Sequence, residues 1–91
     1  MRILIVEDEK KVAAFIKKGL EEETYAVDIA MDGEEGLHLG EQNQYDLMIL
    51  DLMLPKINGL EILSILRAKK IETPILLLTA CLLYTSPSPR D

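Results

Sequence analysis

Three short apolar runs set the rhythm of the chain, and each is closed by an oxygen-bearing side chain. Ile3-Leu4-Ile5-Val6 runs into Glu7-Asp8-Glu9, Leu47-Met48-Ile49-Leu50 into Asp51, and Ile75-Leu76-Leu77-Leu78 into Thr79. Continuous apolar runs of this length mark strands buried on both faces. Tyr25 to Ala30 differs, because Asp28 alternates with Val27 and Ile29 as on a less covered edge strand. Between these segments the spacing becomes helical. Val12, Phe15, Ile16 and Leu20 recur among Lys10, Lys11, Lys17, Lys18, Glu21 and Glu22, which predicts an amphipathic helix over 10–22. Asp32 and Glu35 stand at the cap and third position of a second helix over 33–42, weakened by Gly36 and Gly40. Asn58 and Glu61 form a capping box for a third helix with the stripe Leu60, Leu63 and Leu66, flanked by Ile62 and Ile65. Lys69 and Lys70 fall in its last turn, where the helix dipole favours cations. Strict strand-helix alternation predicts an α/β fold: a doubly wound parallel sheet with helices on both faces.

Composition narrows the function. Hydrophobic residues make up 48% of the 91 and charged residues 29%, a globular balance for one small domain or part of one. No apolar run approaches the roughly 18 residues of a membrane span, so no membrane role is expected. The net charge is −6 and the basic residues are scattered, which argues against nucleic-acid binding by this segment. Cys81 is the single cysteine and has no internal disulfide partner. Met1-Arg2 precedes only four strongly apolar residues before Glu7, too few for a secretory h-region, so a cytoplasmic address is expected.

In doubly wound sheets ligands bind beyond the carboxyl ends of the strands. Asp8, Asp51 and Thr79 should therefore converge on one rim. Taken singly, Asp8 reads equally well as a cap for the first helix, and Thr79 as a plain strand end. Asp51 is harder to explain by packing, because Leu52 to Pro55 do not begin a helix that it caps, and a carboxylate at a buried strand end needs a partner. The rim offers only oxygen donors, and close carboxylates repel unless a cation or a proton lies between them. Such donors suit Mg2+ or Mn2+ better than zinc. A divalent-metal site that handles a phosphoryl group is expected, with Asp51 as candidate nucleophile. His38 reads as a surface residue, Met31, Met48 and Met53 as core or loop fillers, Lys56 as a solvated loop lysine, and Gly59 as easing the approach to the third helix.

Glu7-Asp8 after the first strand, Asp51 after the third, Pro55 and Gly59 beyond it, and Thr79-Ala80 after the fourth form a spaced set. With the runs "MRILIVEDE" and "DLMILDLMLPKINGLEIL", the chain from Met1 to Ala80 resembles the receiver domains of two-component response regulators. The likeness is greatest to the subfamily whose receivers precede a winged-helix DNA-binding domain. The resemblance implies a flavodoxin-like receiver fold and a signalling module rather than an enzyme. It implies that Asp51 accepts a phosphoryl group from a sensor histidine kinase. It implies Mg2+ held by Asp8, Asp51 and the backbone carbonyl of Met53, with Glu7 acting through water, and Thr79 as the hydroxyl that senses the phosphoryl group. Two alternatives stand beside it. A small Mg2+-dependent phosphohydrolase usually carries a second Asp two residues past its nucleophile, where this chain has Met53. A phosphorylation-independent pseudo-receiver is at odds with the intact Glu7, Asp8, Asp51 and Thr79.

The resemblance stops at Ala80. A receiver continues for roughly 40 residues through a fourth helix, a fifth strand ending in lysine and a fifth helix, the elements by which the subfamily dimerises. The expected fold is thus an incomplete receiver over 1–80, lacking the last helix-strand-helix, its homodimerisation surface and the domain that would contact DNA. Residues 81–91, CLLYTSPSPRD, have no strand or helix period and match a translated transposase adapter used in sequencing libraries, so they read as a non-native tail.

Overall fold

The apolar runs fold as the strands of one parallel sheet. The computed structural model describes residues 1–54 and 56–78. Along the chain come β1 (Arg2–Val6), α1 (Lys10–Glu22), β2 (Ala26–Ala30), α2 (Gly33–Gln42), β3 (Leu47–Asp51), α3 (Gly59–Ala68) and β4 (Ile75–Leu78). All pairings are parallel and the strand order is β2-β1-β3-β4. Consecutive parallel strands need a crossover, and each of the three helices supplies one.

Alternation along the central strands divides the core between the two faces of the sheet. Leu4, Val6, Met48 and Leu50 pack with Ile62 and Leu66 of α3, and Leu37 and Leu39 of α2 close around them. Ile3, Ile5, Val27 and Ile49 pack on the other side against Ala13 of α1, with Ile16 and Leu20 beside it. The sheet is therefore covered on both faces, as the unbroken apolar runs require. No helix among the described residues is long and apolar enough to cross a membrane.

Four local expectations are revised. In α1 the inner position belongs to Ala13, while Phe15 is 79% exposed. In α3 the buried stripe is Ile62 and Leu66, one helical turn apart, and Leu60 lies outside. That helix ends at Ala68, so Lys69 is its C-cap and Lys70 follows with φ of 64°. Lys69 instead bridges to Glu41 of α2 at 2.9 Å. The glycines of α2 serve its packing rather than merely weakening it: a Cβ on Gly36 would lie 2.6 Å from Cγ1 of Val6.

The helix starts follow their capping residues. Asn58 and Glu61 form the full reciprocal box. Asp32 accepts from the Glu35 amide at 2.9 Å, but the Glu35 carboxylate accepts from the Met31 amide, one residue before the cap. Toward the amino end of the sheet, Asp28, the middle residue of β2, accepts from the Tyr45 hydroxyl at 2.8 Å and from Arg2 at 3.1 Å. The Arg2 guanidinium lies 5.0 Å from the Tyr45 ring centroid. Burial, then the bond to Asp28 and its charge, push the Tyr45 hydroxyl up to about 12.

The revised α3 stripe is testable by chemical unfolding. Leu66→Ala should cost about 2 to 5 kcal/mol, whereas Leu60→Ala should change stability by no more than about 0.5 kcal/mol. Urea titrations followed by circular dichroism read both, and a cost at Leu60 as large as that at Leu66 would restore the stripe expected from sequence.

Candidate functional site

Register creates the site. Val6 of β1 pairs with Leu50 of β3, so the next residues, Glu7 and Asp51, emerge abreast at the carboxyl rim, with Asp8 one step beyond. The Glu7 amide still donates to the Ala30 carbonyl at 3.0 Å, and the Leu52 amide to the Leu78 carbonyl at 3.1 Å. Sheet hydrogen bonds thus fix the backbone on each side of the carboxylates.

From Glu7 the chain turns into α1. The Glu9 amide donates to the Glu7 carboxylate at 2.9 Å, and Glu9 is the N-cap residue, without a side-chain capping bond. Asp8 is exposed and does not cap the helix, which removes the packing account of this residue. On β3, Asp51 accepts from the Met53 amide at 3.0 Å, an Asx-type turn that orients its carboxylate and starts the following loop. Gly59 brings α3 against the same backbone: a Cβ there would lie 2.8 Å from the Asp51 carbonyl oxygen and 3.2 Å from Cα of Leu52. Gly59 also donates to the Leu52 carbonyl at 3.4 Å.

Glu7, Asp8 and Asp51 each bring one carboxylate oxygen within 4.8 Å of the others. None of the ion pairs among the described residues includes any of the three. Glu7 is only 5% exposed. Burial pushes its carboxyl up to about 7, the charges of Asp51 and Asp8 and a hydrogen bond to Asp51 add to the rise, and the Glu9 amide opposes it. Without a cation, then, the crowding favours a proton on Glu7. The donor set consists of oxygens alone, contains no cysteine or histidine, and carries excess negative charge. It fits a hard divalent cation such as Mg2+.

The structure brings together three of the residues singled out from sequence, Glu7, Asp8 and Asp51. Met53 joins them through its amide, and its side chain is 77% exposed. Thr79 and Pro55 lie outside the described residues. His38 is exposed, on α2, and is not part of the carboxylate cluster. Sequence reasoning missed the depth at which Glu7 is buried. The available signal was its place directly after a fully buried strand, in step with Asp51.

Residues 3–82 match the family described as the response regulator receiver domain. The chain is similar to the transcriptional regulatory protein CusR of Escherichia coli, at 51% identity over 80 residues, which are 88% of this chain and 35% of CusR. It thus spans about a third of the length of that relative. Among solved structures, a receiver domain of the Francisella response regulator 1452 superposes with a TM-score of 0.85 at 39% identity, over 93% of this chain and 69% of that one. The response regulator TrrA of Thermotoga maritima, solved in complex with Mg2+-BeF, gives 0.83 at 45% identity, over 93% of this chain and 74% of that one. The likeness spans every strand and helix described above, and the chain belongs to the response regulator receiver domain family.

Proposed function

We propose that this chain is the cytoplasmic phosphoacceptor module of a transcriptional response regulator, with Asp51 taking a phosphoryl group from a phosphohistidine on a sensor histidine kinase. The observation that carries the reading is the cluster of Glu7, Asp8 and Asp51 at the carboxyl rim, with no cationic side chain paired to it among the described residues. An Asp51 oxygen would attack phosphorus in line as the bond to the imidazole nitrogen breaks, with the imidazole as leaving group. Asp8, Asp51 and the Met53 carbonyl would hold Mg2+, with Glu7 reaching it through water. When bound, the cation supplies charge neutralisation at the phosphoryl oxygens. The Asx turn to the Met53 amide would keep the Asp51 carboxylate oriented for attack. TrrA, similar over most of this chain, is a response regulator solved in complex with Mg2+-BeF, which supports the same cation here. The Thr79 hydroxyl would bond the new phosphoryl oxygen and carry the change outward, and hydrolysis of the aspartyl phosphate would end the signal.

Residues 1–80 form the receiver unit in this reading and 81–91 a non-native tail. Transcriptional output would reside in a winged-helix domain beyond this segment, in keeping with the regulatory relatives that it matches over about a third of their length. This segment itself would contact no DNA, and dimerisation would use elements beyond Ala80.

Incubation with Mg2+ and acetyl phosphate, followed by intact mass spectrometry, should give a lasting gain of one phosphoryl group that Asp51→Asn abolishes. Rapid multiple turnover without an adduct would instead favour a phosphohydrolase, and failure to bind Mg2+ a pseudo-receiver.

The Glu7 proton gives a pH signature. Its folded value is about 7 against an ordinary 4.5, so the folded state binds the proton more tightly than the unfolded state. The stabilisation is full below the unfolded value and is lost as pH rises through about 7. In metal-free buffer Glu7→Gln should therefore melt close to wild type near pH 4.5 and above it at pH 8. Mg2+ should narrow the gap at pH 8, because a cation favours the ionised carboxylate. Parallel thermal melts with chelator and with Mg2+ check this, and a gap independent of pH would refute it.

A further inference from the structure

The loop of residues 52–58 leaves Asp51 and returns at Gly59, and its far end rests on the first turn of α2. A Cβ on Gly33 would run into the carbonyl oxygen of Ile57 and lie 2.8 Å from the Ile57 Cβ. Gly33 has no positive φ, so space rather than backbone conformation demands the glycine. Next to it, Lys56 has φ of 71°, the left-handed region that L side chains seldom enter. Its ammonium bridges to Asp32 at 3.6 Å and Glu34 at 3.3 Å, the residues on either side of Gly33. Read from sequence as merely solvated, Lys56 instead ties the loop to α2. The near end of the loop is fixed by the Met53 amide on Asp51 and by Gly59 on the Asp51 carbonyl.

We propose that Gly33, with Lys56 as its auxiliary, is a positioning residue for the metal and phosphoryl site: the first turn of α2 serves as the abutment that sets the course of loop 52–58 and so the placement of the Met53 main chain beside Asp51. This rests on the function proposed above. Exposed ion pairs contribute little singly, so the backbone contact at Gly33 carries the larger share and Lys56 the smaller. The far end of the loop is held by contacts outside the carboxylate cluster, and Ile57 stands only four positions after Met53 in the chain. Groups that orient ligands without touching the metal commonly alter affinity by about 10- to 100-fold when changed.

The test compares Gly33→Ala, Lys56→Met and a control, Lys69→Met, in the 91-residue chain. The control removes the Lys69–Glu41 bridge, which ties the residue after α3 to α2 away from the loop. Two quantities are read: amide hydrogen exchange at Met53 by NMR in metal-free buffer, and the Mg2+ concentration giving half-maximal phosphorylation by acetyl phosphate. Gly33→Ala should speed Met53 exchange several-fold and raise the Mg2+ requirement about tenfold, with the rate at saturating Mg2+ nearly retained. Lys56→Met should move both in the same direction, with the Mg2+ requirement rising by about threefold or less, and Lys69→Met should leave both at wild type. Wild-type behaviour in Gly33→Ala, or an equal effect in Lys69→Met, overturns the proposal. If circular dichroism shows Gly33→Ala unfolded, Lys56→Met decides, and wild-type values for both quantities overturn it. If wild type takes up no phosphoryl group, the functional reading falls, and Met53 exchange still decides whether Gly33 positions the loop.

Discussion

Like charges forced together at a partly buried rim are the constraint on which this structure turns. Parallel pairing places Glu7 and Asp51 side by side at the ends of the two central strands, and the chain's exit into α1 adds Asp8. Apolar packing gains nothing from that arrangement, and desolvation of Glu7 works against it. The remainder of the fold accommodates the cost. Ladder bonds hold the backbone at Glu7 and Leu52, the Glu9 amide stabilises one carboxylate and the Met53 amide another. The outcome is a site with two ways to relieve its repulsion, a proton on Glu7 or a cation among the oxygens. Competition between those two makes it responsive to its surroundings.

The framework was legible from the sequence because local and global preferences agree along it. The bounds of α1 and α2 followed from apolar spacing and from Asp32, and the course of β3 from an unbroken apolar run closed by a carboxylate. Errors arose where the answer depended on which neighbour covers a surface. Phe15 and Leu60 fit a helical stripe by type, but each faces outward, because Ala13 and Ile62 occupy the positions nearest the sheet. Helical periodicity specifies a face only to within a residue or so. The α2 glycines looked like defects for the same reason: the closeness of Val6 to Gly36 is a distance between segments, and no local pattern encodes it.

The candidate site was legible in its membership more than in its energetics. Asp8 and Asp51 were identifiable by their place at strand ends and Glu7 by the resemblance to receiver domains, and the three do meet. That Glu7 would be the most buried of them is a matter of its surroundings in the folded chain. The part played by Lys56 was hidden likewise, since its partners lie more than twenty residues earlier and become neighbours only once α2 stacks beside α3.

Toward the other end of the sheet, Arg2 at the start of β1, Asp28 in the middle of β2 and Tyr45 just before β3 tie three adjacent segments together. Strands built from isoleucine, leucine and valine are nearly interchangeable under a sliding motion, because one aliphatic side chain fills another's place at modest cost. A slip of β2 by one residue would carry Asp28 to the opposite face and strand it from both partners. The trio therefore acts as an alignment key: it tells an otherwise repetitive set of strands which residue belongs opposite which, and the meeting of carboxylates at the far rim depends on that instruction.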